Sequence, residues 1–139
     1  MSLLRWQDSY LIGDPTIDHD HKVLFAMINE FYDAFRQEGR RRDLARLMNQ
    51  LVAYAEAHFR REEAIMASQQ YPGQAGHENA HEALYETIYK FQARIESSAE
   101  PVAHDAVAFL KHWLVDHILA EDKKLSAFMQ TKKAAVGAG

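Results

Sequence analysis

The sequence contains no cysteine. That absence removes disulfides, thiolate nucleophiles, cysteine-type zinc sites and iron–sulfur clusters together. Proline and glycine are scarce, three and six in 139 residues, and they fall at boundaries rather than inside patterned stretches. No apolar run approaches the length of a membrane span. Positive charge is not concentrated either: the net charge is −4, and the one basic cluster, Arg40-Arg41-Arg42, stands beside a glycine without aromatic neighbours. It reads as a loop or helix start, since a nucleic-acid surface needs a broader basic face. Neither nucleic acid nor a membrane is therefore an expected partner. The opening MSLLRWQDSY lacks the apolar core and cleavage signal of an export leader, which predicts a cytoplasmic protein.

What is present is helix-forming. Gly13-Asp14-Pro15, Gly39, Pro72-Gly73 with Gly76, and Pro101 separate four segments, about 17–38, 42–69, 75–97 and 101–122. All four are rich in Ala, Leu, Glu, Gln and Arg, which favour helix, and none alternates like a strand. Each carries an apolar stripe at helical spacing: Ile17, Leu24, Phe25, Ile28 and Phe35; Leu44, Met48, Leu51, Phe59 and Met66; Leu84, Ile88, Phe91 and Ile95; Val107, Leu110, Trp113, Leu114 and Ile118. Asp18 is the expected N-cap of the first helix, and Pro101 suits the first turn of the fourth. Short connections between amphipathic helices predict an all-α fold, an antiparallel up-and-down four-helix bundle with an N-terminal extended segment. By length, 1–139 is a single domain. Residues 1–16 form its N-terminal segment, 17–122 the bundle and 123–139 a C-terminal tail, frayed over its last six residues.

Eight histidines are many for this length, and most sit in the wrong place. His21, His58, Glu62, His77, His81 and His117 interrupt the apolar stripes instead of lying on polar faces. One buried histidine is ordinarily a hydrogen-bonded core residue. Six would each need a buried partner or would cost free energy. Topology supplies the shared explanation. In an up-and-down bundle His21 starts helix one, His58 and Glu62 lie late in helix two, His77 and His81 begin helix three, and His117 and Asp122 finish helix four. All seven then meet at one end. Five imidazoles and two carboxylates have the composition of a first-row transition-metal site. A tetrahedral zinc takes about four donors, whereas two ions bridged by the carboxylates would use all seven.

The set resembles the hemerythrin family, and its bacterial members (bacteriohemerythrins) in particular. That family's pattern is one histidine, then HxxxE, HxxxH and HxxxxD. Here it runs through His21 in IDHDHKVLF, His58 and Glu62 in HFRREE, His77 and His81 in HENAH, and His117 and Asp122 in HILAED. The lead-in W-x3-Y-x2-G-D, Trp6 through Asp14, is also similar, and the match spans about residues 6–128. The resemblance implies reversible O2 binding at a non-haem di-iron centre. One iron would take His77, His81 and His117, and the other His21 and His58. Glu62 and Asp122 would bridge them with an oxo or hydroxo group, leaving the two-histidine iron open to O2. Phe59, Trp113 and Leu114 match O2-pocket positions in the family; plain core packing would account for them equally. The resemblance implies no catalytic residue, and an oxygen carrier, store or sensor with room for a redox or O2-consuming protein partner.

Other readings stay open on the sequence. One is a di-iron enzyme reducing peroxide or nitric oxide, although oxygen-activating bundles use mostly carboxylates, with Glu-x-x-His motifs from paired helices, where this set is mostly imidazole. Another is an O2- or redox-sensing module, as in relatives fused to signalling proteins. Iron storage or zinc binding is a third, opposed by the lack of a carboxylate-rich surface. His19 lies off the stripe and His104 reads as surface, as do His112 and Asp116. Glu63 lies about 100° round the helix from Glu62. Asp20 stands where many relatives have glutamine, which predicts altered hydrogen bonding at the start of helix one. Finally, His117 and Asp122 are five residues apart. That does not suit a regular α-helix, so helix four is predicted to end or loosen between Ile118 and Asp122.

Overall fold

The structure, a computed structural model, describes residues 3–37, 41–97 and 99–138. Four helices follow one another, α1 Pro15–Arg36, α2 Arg41–Ser68, α3 Gln74–Ser97 and α4 Ala99–His117. A π-helical turn, Ile118–Asp122, then leads directly into α5, Lys123–Ala138. Consecutive helices pack side by side, and α1 closes against α4, which makes the predicted four-helix bundle. Among the described residues no helix is long and apolar enough to cross a membrane. The break expected at Gly39, and Arg40 of the basic cluster, lie outside the described residues. Arg41 begins α2, and Pro101 lies in the first turn of α4.

Two local features differ from expectation. The N-cap of α1 is Asp14, whose side chain accepts the Ile17 N–H at 3.0 Å, with Pro15 at the first helical position. Proline is favoured there because it has no N–H to leave unpaired. Asp18, the expected cap, is buried and accepts the N–H groups of Ile12 at 2.8 Å and Gly13 at 3.2 Å. It ties down the arm that precedes the helix. The second difference is the C-terminal tail, which is helical from Lys123 to Ala138. No proline interrupts it, and its inner face has something to hold. Leu125 and Ser126 are buried, the Ser126 hydroxyl donates to the Ile12 carbonyl at 2.6 Å, and Lys123 Nζ donates to the Leu11 carbonyl at 2.8 Å.

The arm explains its own sequence pattern. Trp6 packs edge-on against Phe25, ring centroids 5.2 Å apart, and against Tyr10 at 5.6 Å. Gly13 has φ +88°, a left-handed conformation that disfavours side chains, and Asp14 caps. At the far end of α2, Gln70 adopts a left-handed φ of 54°. The Gln70 N–H donates to the Ala67 carbonyl at 3.1 Å and the Tyr71 N–H to that of Met66 at 3.0 Å, the paired bonds of a Schellman end. That tight stop lets α3 begin at Gln74, so His77 lies in its first turns.

The core is apolar along most of the bundle, with Phe31, Met48, Leu51, Ile95 and Leu110 among its fully buried side chains. The buried polar side chains gather at the other end: Asp18, Asp20, His21, His58, Glu62, His77, His81, His117, Asp122 and Ser126.

Candidate metal centre

All seven predicted ligand residues meet at that end. His21, His58, Glu62, His77, His81 and Asp122 are wholly buried, and His117 is 6% exposed. The rivals stay outside: His19, His104, His112 and Asp116 are exposed. Each helix contributes by its own geometry. His58 and Glu62 on α2, and His77 and His81 on α3, use the four-residue spacing that stacks side chains on one face. His117 and Asp122 use the π turn. Its wider hydrogen bonding, with the Lys123 N–H donating to the Ile118 carbonyl, accommodates one extra residue within a single turn. On a regular helix residues five apart would diverge by about 140°. The predicted loosening is this turn.

The carboxylates divide their oxygens. Glu62 Oε2 lies 3.2 Å from His58 Nε2. Glu62 Oε1 contacts His77 Nε2 and lies 3.4 Å from that of His81 and 3.7 Å from that of His117. Asp122 Oδ2 lies 2.9 Å from His21 Nε2, while Oδ1 is 3.0 Å from His77 Nε2 and 3.1 Å from His117 Nε2. Each carboxylate thus offers one oxygen to a two-histidine set and the other to a three-histidine set. Two groups of donor atoms lie within 4.8 Å of one another and could each hold a metal ion: Glu62, His77, His81 and His117; and His21, His58, Glu62 and Asp122.

These atoms do not satisfy one another. The Nε2 atoms of all five histidines and all four carboxylate oxygens are buried without a hydrogen-bond partner. Native structures pair nearly all buried polar atoms, and so dense an unpaired set is costly unless a cation takes up the lone pairs. Imidazole and carboxylate together suit borderline divalent metals, iron among them. The donor set therefore fits a metal centre.

Phe59 forms one wall. Its ring stacks on His81 with centroids 4.0 Å apart and planes at 17°, and stands 6.0 Å from His117 and 6.1 Å from Trp113. Leu114 is wholly buried and belongs to the same apolar core as Phe59 and Trp113.

The family model described as "Hemerythrin HHE cation binding domain" matches residues 13–128. The chain belongs to the hemerythrin family. Hemerythrins are non-haem-iron, oxygen-binding proteins rather than enzymes. The chain is 32% identical to a bacteriohemerythrin of Pseudomonas aeruginosa over 123 residues, 88% of this chain and 78% of that one. It is 33% identical to the myohemerythrin of Riftia pachyptila over 119 residues, 86% of this chain and 88% of that one. A crystal structure of a hemerythrin leucine-to-alanine mutant superposes with a TM-score of 0.84 at 26% identity, covering 92% of this chain and 98% of the other.

The sequence singles out Asp20 for altered hydrogen bonding but not the group of side chains it joins. Asp20 is 2% exposed and stands behind His58, its Oδ2 3.0 Å from His58 Nδ1. Arg61 grips the same carboxylate through Nε at 2.8 Å and a terminal nitrogen at 2.7 Å, and the Tyr54 hydroxyl donates to it at 2.9 Å. The signal was available: Tyr54, His58 and Arg61 share one face of α2 at helical spacing, and Asp20 lies three residues beyond the buried Ile17.

Charge in the metal-free site is strongly perturbed. Burial alone would lower the histidines, but the carboxylates around them win. His58 and His77 are raised to about 9 and His117 to about 10. Burial would likewise raise Glu62, yet the four imidazoles facing it hold it well below the usual carboxylate range. A histidine raised on folding stabilises the fold below its unfolded pKa, about 6.5, and that contribution is lost as pH rises through the folded value. The metal-free protein should therefore melt at a lower temperature at pH 9 than at pH 6.5. Metal binding displaces those protons, so the loaded protein should lack this loss. Thermal melts at both pH values, with and without chelator, check the prediction. A metal-free melting point unchanged between them would contradict it.

Proposed function

We propose that this chain binds O2 reversibly at a pair of non-haem iron ions, as a cytoplasmic carrier, store or sensor. The division of both carboxylates between two histidine sets carries the reading. It matches two metal positions sharing two bridges better than one. His77, His81 and His117 would hold one iron, His21 and His58 the other, with Glu62 and Asp122 spanning both and an oxo or hydroxo group completing the bridge. The iron pair, when bound, supplies the two electrons that O2 binding borrows.

The chain's own residues favour binding over turnover. Five neutral imidazoles against two carboxylates place little negative charge on the centre, which favours the reduced state. Phe59, Trp113 and Leu114 are buried apolar side chains that would keep water and its protons away from the centre. The two-histidine side has one fewer protein donor and is the side we assign to O2. The partner implied is a redox or O2-consuming protein. The test is anaerobic reduction of the iron-loaded protein followed by admission of air, watched by visible absorption over repeated cycles. A band that appears with O2 and disappears on its removal is expected. Bleaching after a single exposure, or sustained turnover of peroxide or nitric oxide, would overturn the reading in favour of an enzyme.

A further inference from the structure

Asp20 differs from the acids that face the centre because it lies behind one of the histidines. Its Oδ2 is 3.0 Å from His58 Nδ1, while His58 Nε2 turns inward, 3.2 Å from Glu62. An imidazole has two nitrogens, and an anion on one fixes the proton there and leaves the other as the lone-pair donor. Three of the other four ligand histidines lack this support. Nδ1 of His21, His77 and His81 is buried without a hydrogen-bond partner, and Glu63 Oε1 approaches His81 Nδ1 only to 3.6 Å, beyond hydrogen-bond range.

Asp20 is itself held by two further side chains. Arg61 binds both its oxygens, Tyr54 donates to Oδ1, and the guanidinium lies 5.5 Å from the Tyr54 ring centroid. The Asp20 side chain is 4% exposed and that of Arg61 is 40% exposed. The negative charge is therefore buried next to His58, while the balancing positive charge is partly screened by solvent. An opening lined by Pro15, Thr16, His19, Asp20, Tyr54 and Arg61 connects this clamp to the surface.

We propose that Asp20 is a positioning residue for His58, and that the Asp20–Arg61 pair sets the electron richness of the two-histidine metal position. Asp20 fixes the proton on Nδ1 and makes Nε2 the stronger donor. Arg61 moderates the effect by drawing charge from the same carboxylate. The asymmetry falls on the side assigned to O2, so this inference rests on the function proposed above.

The test uses the full chain and two metals. In the iron-loaded protein, Asp20→Asn keeps the shape and removes the charge. It should favour the reduced state about ten-fold, an upward shift of about 59 mV for one electron. Arg61→Gln removes the moderating cation and should shift the potential the opposite way. Loss of packing alone would move both variants in the same direction, and that result overturns the proposal. In the redox-silent zinc-loaded protein, Asp20→Ala should weaken zinc binding about 10–100-fold and abolish the downfield, exchange-protected His58 Nδ1–H proton resonance, while Asp20→Asn retains most of both. Unchanged affinity and an unchanged resonance in Asp20→Ala would also overturn it. Failure of the wild type to take up iron would sink the proposed function instead, and the zinc measurements would still decide the role of Asp20.

Discussion

Asp122→Ala is expected to weaken metal binding by at least about 100-fold, since it removes a direct donor where loss of an outer partner already costs 10–100-fold. Glu121→Ala should leave affinity within a factor of about two, the usual range for a surface substitution. The contrast is sharp because on a regular helix Glu121, four residues after His117, would be the residue to face the centre. The π turn reverses that order. Asp122 becomes wholly buried, and the Glu121 side chain, 29% exposed, lies 3.7 Å from Lys124 Nζ. The same stretch provides a second pair. His117→Ala should lose metal and His112→Ala should keep it, although both histidines have an aspartate at comparable spacing. Metal retention after dialysis against a weak chelator reads all four variants. Equal retention within either pair would refute the assignment.

Glu62→Gln should reduce the metal content from two ions to one or fewer. Glu62 alone faces four of the five imidazoles, and its two oxygens serve different sets. An amide of the same shape keeps one oxygen but replaces the other with a donor of two N–H bonds, which repels a cation. Helical circular dichroism should be unchanged, because the substitution preserves volume at one end of an otherwise apolar bundle. The metal-free protein should also lose part of its stability difference between pH 6.5 and 9, since the Glu62 charge is among the causes raising His58, His77 and His117. Glu63→Gln, one residue on and about 100° round the helix, is the matched control and should retain both ions.

Much of this arrangement was legible because it breaks a rule. Polar residues embedded in apolar stripes are conspicuous, and an antiparallel topology converts their positions along four helices into a common level. The uneven His117–Asp122 spacing could be read the same way, as a demand on the backbone that a π turn meets. What escaped was hidden for physical reasons. Asp18 and Asp14 are both acceptable caps by residue type, and only the placement of Pro15 at the first helical position separates them. The helix beyond Asp122 offers only a short apolar stripe, Leu125, Phe128 and Met129, and part of its anchorage is hydrogen bonds from Lys123 and Ser126 to backbone carbonyls of a distant arm, which leave no periodic trace. Asp20 was visible as a departure from relatives. Of its partners, Tyr54 stands at helical spacing from His58, but Arg61 is a charged, half-exposed side chain that pattern analysis assigns to a solvated face.

The central claim is that two metal positions share Glu62 and Asp122. The most direct test is a crystal structure of the iron-loaded protein with anomalous scattering recorded at the iron edge. Two peaks about 3.5–4 Å apart or closer are predicted, one against Nε2 of His77, His81 and His117 and the other against Nε2 of His21 and His58, with both carboxylates between them. A single peak, or iron bound away from these seven side chains, would contradict the account.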